Sequence, residues 1–197
     1  MANLKNWLRG FSAGRNARSS ELSAPLTLEQ RWAVATSALL SELNGWNHDG
    51  LHPNPEFPKH ADWREALEQW WAVESKEDML STLERLKQFG HRAEFRARIG
   101  REPLAWDLCR IVSVSRMAVG AGFLDADEAW AHILPAARAL RARYSSWAEL
   151  GGDYVLGHDL WAGQSDPDLM TVYRKLLDPQ NSSSPWTALS WTSFPER

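Results

Sequence analysis

The sequence predicts an all-α protein, a compact single-core bundle of about seven or eight helices with a peripheral N-terminal arm and C-terminal tail. Three observations point there. Apolar residues recur at i, i+3, i+4 and i+7 in segment after segment, which places them on one face of a helix. Ser, Thr or Asp followed three residues later by Gln, Glu or Asp stands before several of these segments, as at a helix N-terminus. No stretch shows sustained alternation with β-branched residues, so any strands are short. An apolar content of 44% in 197 residues suffices for a core and excludes wholesale disorder.

Residues 1–26 read as a basic N-terminal arm, with Lys5, Arg9, Arg15 and Arg18 before the first acid, Glu21. Leu4, Trp7, Leu8 and Phe11 form a short apolar stripe that is expected to dock on the body. Weak attachment to a membrane surface or a partner groove through residues 4–11 is the alternative, with too little apolar area to hold a membrane alone.

The helical domain is expected over 27–178. Thr27 with Gln30 starts a helix whose stripe runs Leu28, Trp32, Ala35, Leu39, Leu43 and Trp46, with Gly45 near its end. Pro53, Pro55, Pro58 and Gly50 make the following segment, 47–61, a loop. Asp62 is expected to cap a short helix carrying Trp63, Leu67, Trp70 and Trp71. Ser75 with Asp78 opens the next, and Gly90 separates it from a cationic stretch around Phe95.

Pro103 suits the first turn of a helix from Leu104 to about Ala121. That helix is apolar over most of its circumference, which marks it as central. Asp125 with Glu128 opens another, with Pro135 on its polar side. Ser146 with Glu149 precedes Trp147, Leu150, Tyr154 and Trp161, and Asp166-Pro167 opens the last helix. Residues 179–197 form a tail whose Trp186, Leu189, Trp191 and Phe194 are expected to pack on the body.

Composition narrows the function classes. The formal net charge of −3 gives no case for nucleic acid. No apolar run approaches the ~18 residues of a membrane helix, and the start lacks a continuous apolar segment, so neither a membrane span nor a secretory signal is expected. The single cysteine, Cys109, fits a reducing compartment and is expected as a buried structural thiol. No phosphate-cradling glycine loop follows a strand, and no cofactor is expected.

Asp107 projects into the apolar sector of the central helix, and Arg110, three residues on, reaches its carboxylate. A buried pair that fixes register is the bland expectation. The sharper one is a polar cleft in which Asp107, Arg110 and Arg116 bind a ligand, with His91 or His158 as acid or base. His158 and Asp159 are adjacent and point about 100° apart on a helix, so they are not expected to pair. The loop residues His48, Asp49, His52, Glu56, His60 and Asp62 include metal-ligand types, but Gly50 and Pro53 deny them helical spacing, so a solvated loop without metal is expected. Trp63, Trp70 and Trp71 cannot all be buried on one face of a short helix, so one of them is the expected aromatic anchor for a protein partner.

The string Trp106-Asp107-Leu108-Cys109-Arg110, then Arg116, Gly122-Phe123-Leu124 and Glu128-Ala129-Trp130, continues with Tyr144-Ser145-Ser146-Trp147, Tyr154, Gly157 and Trp161. With Gly90-His91-Arg92 and Phe95 it resembles an uncharacterised bacterial family, the YbeU- and YbeR-like proteins, mainly over residues 90–161. Where that family tends to carry an arginine after the glycine, this chain has His158. The resemblance implies a mainly helical bacterial cytoplasmic domain of unknown function. Such domains often occur beside toxin and secretion loci, which implies a binding role. The expectation is therefore a soluble interaction module, of immunity or adaptor type, with no identifiable catalytic constellation.

Overall fold

The computed structural model describes residues 25–54 and 59–194, so the Leu4–Phe11 stripe and Glu56 lie outside the described residues. Within them the protein is all-helical, with no strand. The helices are α1 (Leu28–Ala35), α2 (Ala38–Asn44), α3 (His60–Trp71), α4 (Lys76–Gln88), α5 (Arg92–Ile99), α6 (Leu104–Ala121), α7 (Ala126–Arg143), α8 (Trp147–Ala162), α9 (Pro167–Leu177) and the single-turn α10 (Pro185–Ala188). A 3-10 turn at Trp191–Ser193 follows.

The central position of α6 follows from its composition. Every residue from Ala105 to Ala121 is buried, and α3, α4, α7 and α8 pack around it. Two glycines allow α8 and α3 to approach α6 closely. A Cβ on Gly157 of α8 would lie 2.8 Å from Trp106 Cγ, and one on Gly120 of α6 would lie 2.7 Å from Trp63 Cγ.

Helix starts follow the capping residues. Thr27, Ser75 and Asp125 each close a capping box, and Ser146 and Asp166 accept backbone amides at the starts of α8 and α9. Pro135 lies inside α7 on its exposed side.

Three expectations need correction. The stripe from Leu28 to Trp46 is carried by two helices, because Thr36 Oγ1 and Ser37 Oγ bond to the carbonyls of Ala33 and Val34 and the chain breaks there. α3 begins at His60 after Lys59, and Asp62 sits in its first turn, where its charge complements the positive end of the helix dipole. The loop after α2 is not a solvated one: Trp46, Leu51 and Pro53 are buried.

The C-terminal segment closes over α1 and α8. Trp186 Nε1 donates to Ala35 O at 2.8 Å, Trp32 Nε1 to Trp191 O at 3.2 Å, and Trp147 Nε1 to Leu189 O at 2.7 Å. The rings of Trp32, Trp147 and Trp191 lie edge to face or tilted with centroids 4.8–4.9 Å apart, and Phe194 joins Trp32 at 4.7 Å.

Candidate functional site

Asp107 is on the first half of α6, and its carboxylate is fully buried. An ionised group there is tolerable only when paired and hydrogen-bonded. Four donors meet it. Arg110 Nη2 lies 2.6 Å from Oδ1, as helical i, i+3 spacing allows, and the His91 amide donates to the same oxygen at 3.1 Å. The Arg92 amide and Arg92 Nη1 each donate to Oδ2 at 3.2 Å. Those last donors reach α6 because Gly90, at φ +55°, turns the chain sharply after α4. A Cβ there would overlap the Asp107 carboxylate itself. Arg92 also donates to Leu86 O and Lys87 O, closing the end of α4, so one side chain ties α4, α5 and α6 together.

Arg110 is the centre of an aromatic stack. Its Cζ is 4.1 Å from the Trp106 ring centroid and 5.5 Å from that of Trp71. Its Nε donates to Trp106 O at 2.8 Å and its Nη2 to His91 Nδ1 at 3.0 Å. Burial lowers the pKa of Arg110, and Asp107 opposes that shift. A guanidinium only donates, so His91 Nδ1 is the bare ring nitrogen. Burial and then the Arg110 charge hold the histidine below its ordinary pKa, against the pull of Asp107. Two donors in the stack lack acceptors among the described residues. Arg110 Nη1 makes no hydrogen bond, and Trp106 Nε1 is buried without a partner.

The stack continues to α8. Tyr154, His158 and Trp161 lie 5.1–5.6 Å from the Trp106 ring. His158 Nδ1 lies 3.3 Å from Asp159 Oδ1, against the expectation that neighbours on a helix stay apart. Both residues are in the last turns of α8, where Ser165 Oγ donates to Asp159 Oδ2 at 2.9 Å and holds the carboxylate. Trp161, at this end of the stack, is 41% exposed, and Trp70 and Phe89, which neighbour Trp71 and Gly90 in the chain, are 40% and 61% exposed.

The fold thus brings His91, Asp107, Arg110, Trp71 and His158 to one region and sends two other candidates elsewhere. Trp63 is sealed under α3 against Gly120, its ring 5.7 Å from Trp46. Arg116 follows Asp107 by nine residues, about 13 Å along the axis and half a revolution round it. There its Nε donates to Leu51 O at 3.3 Å, its Nη1 to Ser41 Oγ at 3.0 Å, and its Nη2 to Asn47 O and Oδ1 at 2.7 and 2.9 Å. No described carboxylate forms an ion pair with it, and burial lowers its pKa to about 9. Asp107, Arg110 and Arg116 therefore do not share one cleft.

The histidines near this end have structural partners. His48 Nε2 lies 3.0 Å from Glu42 Oε1, and burial lowers the histidine's pKa. His52 Nδ1 accepts from the Asn54 amide at 3.2 Å, and burial, with Arg116 beside it, lowers its pKa to about 4. His60 Nδ1 donates to Gly120 O at 2.8 Å and Arg64 Nε to Ala121 O at 2.9 Å, which closes the C-terminus of α6. Among the described residues no three His, Cys, Asp or Glu side chains are grouped to hold a metal ion. Cys109 is buried, and burial raises its pKa far above the ordinary thiol value.

A second buried carboxylate escaped sequence reasoning. Asp153 of α8 accepts from Tyr144 Oη, from the Ala105 amide at 3.3 Å and from Arg101. The Tyr144 hydroxyl also accepts from that amide at 2.9 Å, and burial, then Asp153, raise its pKa. The one available signal was angular, since Asp153 falls beside Leu150 and Gly157 on the helical wheel.

The family model of a protein of unknown function (DUF1266) matches residues 97–191, to which this chain is similar over α6 to α10. The match includes Asp107, Arg110, Arg116 and His158 and excludes His91 and the α3 tryptophans. No curated protein and no solved structure matches the chain.

Proposed function

We propose that this chain is a soluble bacterial interaction module of immunity or adaptor type, working in the cytoplasm and related to the YbeU- and YbeR-like proteins, that binds a protein partner around Arg110. One observation carries this. Arg110 touches Trp71 at the end of α3 and His91 just after α4, and the exposed Trp70 and Phe89 lie one and two residues from them in the chain. An arginine among tryptophans on firm helices has the composition of an interface hot spot. Trp70 is the anchor of the three α3 tryptophans, since Trp63 is buried and Trp71 half-buried.

The interior supports the same view. Asp107, Asp153, Arg92 and Arg116 make their bonds within the protein and act as scaffold. The test is affinity capture from the native host with wild type and with a Trp70→Asp, Phe89→Asp double variant. One stoichiometric partner should be recovered by wild type and lost by the variant, with the urea midpoint unchanged. Recovery of none across salt conditions, or equal recovery by both proteins, contradicts the proposal.

A further inference from the structure

The unsatisfied groups in the Arg110 stack are both donors. Arg110 Nη1 bonds to no described residue, and the Trp106 indole N–H is buried without an acceptor. The guanidinium carbon is 4.1 Å from the Trp106 ring centroid, so the two donors lie in adjacent layers of one stack. Native interiors rarely leave a buried donor such as the Trp106 N–H unmet, and what it lacks is an acceptor.

The neighbourhood says which kind. Lys87 lies near Glu84, Arg92 pairs with Asp107, Arg96 with Glu102, Arg98 lies near Glu94, and Arg101 pairs with Asp153. Every lysine and arginine from 87 to 101 therefore already has a carboxylate, which leaves Arg85, whose charge is felt by Arg110 and His91, as one further cation and no row of them for a phosphate backbone or a polyanionic surface. A single planar anion suits the exposed edge of one guanidinium. Trp161, 41% exposed and 5.6 Å from Trp106, and Trp71, 5.5 Å from the Arg110 guanidinium carbon, offer apolar faces for whatever carries that anion.

We infer that the Arg110–Trp106 stack is a binding site for a carboxylate borne on an aromatic or apolar body. This rests on the assignment of the same face to recognition. The carboxylate accepts from Arg110 Nη1 and from the Trp106 indole, and its body lies against Trp161. Its source is either a small organic acid or the C-terminal carboxylate of a partner protein, and the two are separable by experiment.

The full chain, labelled with 15N, is titrated with phenylacetate, with the neutral phenylacetamide, with inorganic phosphate, and with a short peptide ending in Phe as free acid or as amide. The assigned indole N–H signals of Trp106 and Trp161 are followed. Phenylacetate or the free-acid peptide should shift them along a saturable curve, with each amide weaker by about tenfold or more. Tighter binding of the small acid assigns the site to a small molecule, and tighter binding of the peptide assigns it to a partner's C-terminus. Absence of saturable shifts, equal binding of acid and amide, or stronger binding of phosphate overturns the inference.

Arg110→Lys keeps a cation beside Asp107 but removes the Nη1 edge, and should weaken binding about tenfold. Should that variant fail to fold, Trp161→Ala on the exposed rim should weaken binding several-fold at an unchanged urea midpoint. Partner capture that persists when no acid binds removes only the carboxylate, whereas acid binding without any protein partner removes only the interaction module.

Discussion

The two ends of α6 handle a buried arginine in opposite ways. At the N-terminal end, Arg110 faces a carboxylate that also receives Arg92 and two backbone amides, and it keeps one nitrogen unused. At the C-terminal end, Arg116 meets only neutral oxygens, from Leu51, Ser41 and Asn47, and four of its donor positions are engaged. Each arrangement ties a non-helical segment to the central helix, the α4–α5 junction in one case and the loop after α2 in the other. The difference lies in what remains. The neutral set seals its end, whereas the charged set fixes the carboxylate and leaves a cation with a spare edge against Trp106 and Trp71. The recognition proposed above belongs to the N-terminal end, where a donor remains free.

Breaking the charged end should have the largest effect. Asp107→Ala leaves two arginines and two amides buried without their acceptor and should cost about 3–5 kcal/mol, read from urea unfolding. Acidification sharpens the contrast from the other side. Unfolded His52 takes up its proton near pH 6.5, while the folded residue resists until about 4. Stability is therefore lost as pH falls through that window, by on the order of 3 kcal/mol from this group at pH 4. His52→Gln should flatten the dependence in denaturation curves collected between pH 7 and pH 4.

Arg116→Met should cost less, about 2 kcal/mol, because the variant removes a costly buried charge together with its bonds and strands only neutral oxygens. Limited proteolysis should then cut faster near residues 47–54 than elsewhere. The smallest effect belongs to Trp70→Ser, which should move the urea midpoint by less than about 0.5 kcal/mol while weakening partner capture.

Sequence logic reached the helices and only part of the site, for physical reasons visible in particular residues. Helix periodicity and caps are local, so Thr27, Ser75, Asp125 and Ser146 mark real starts. Periodicity also runs unbroken through Thr36 and Ser37, whose hydroxyls bond back to the preceding turn, and so one stripe became two helices. The Asp107–Arg110 contact is fixed by spacing on one helix and was legible. Arg92, Gly90 and the two α5 amides meet the same carboxylate only because α4 and α5 dock on α6, which no local pattern encodes. Asp153 was overlooked for the same reason, since Ala105, Tyr144 and Arg101 come to it from other elements.

Native-state amide hydrogen exchange at His91 and Arg92 tests the central claim most directly. Both amides donate to Asp107, so if that carboxylate is a sealed tie they should exchange only through the global opening that frees the α6 core amides, with the same dependence on denaturant. Exchange of these two amides at surface-like rates, while α6 stays protected, would show the junction opening alone and contradict the account.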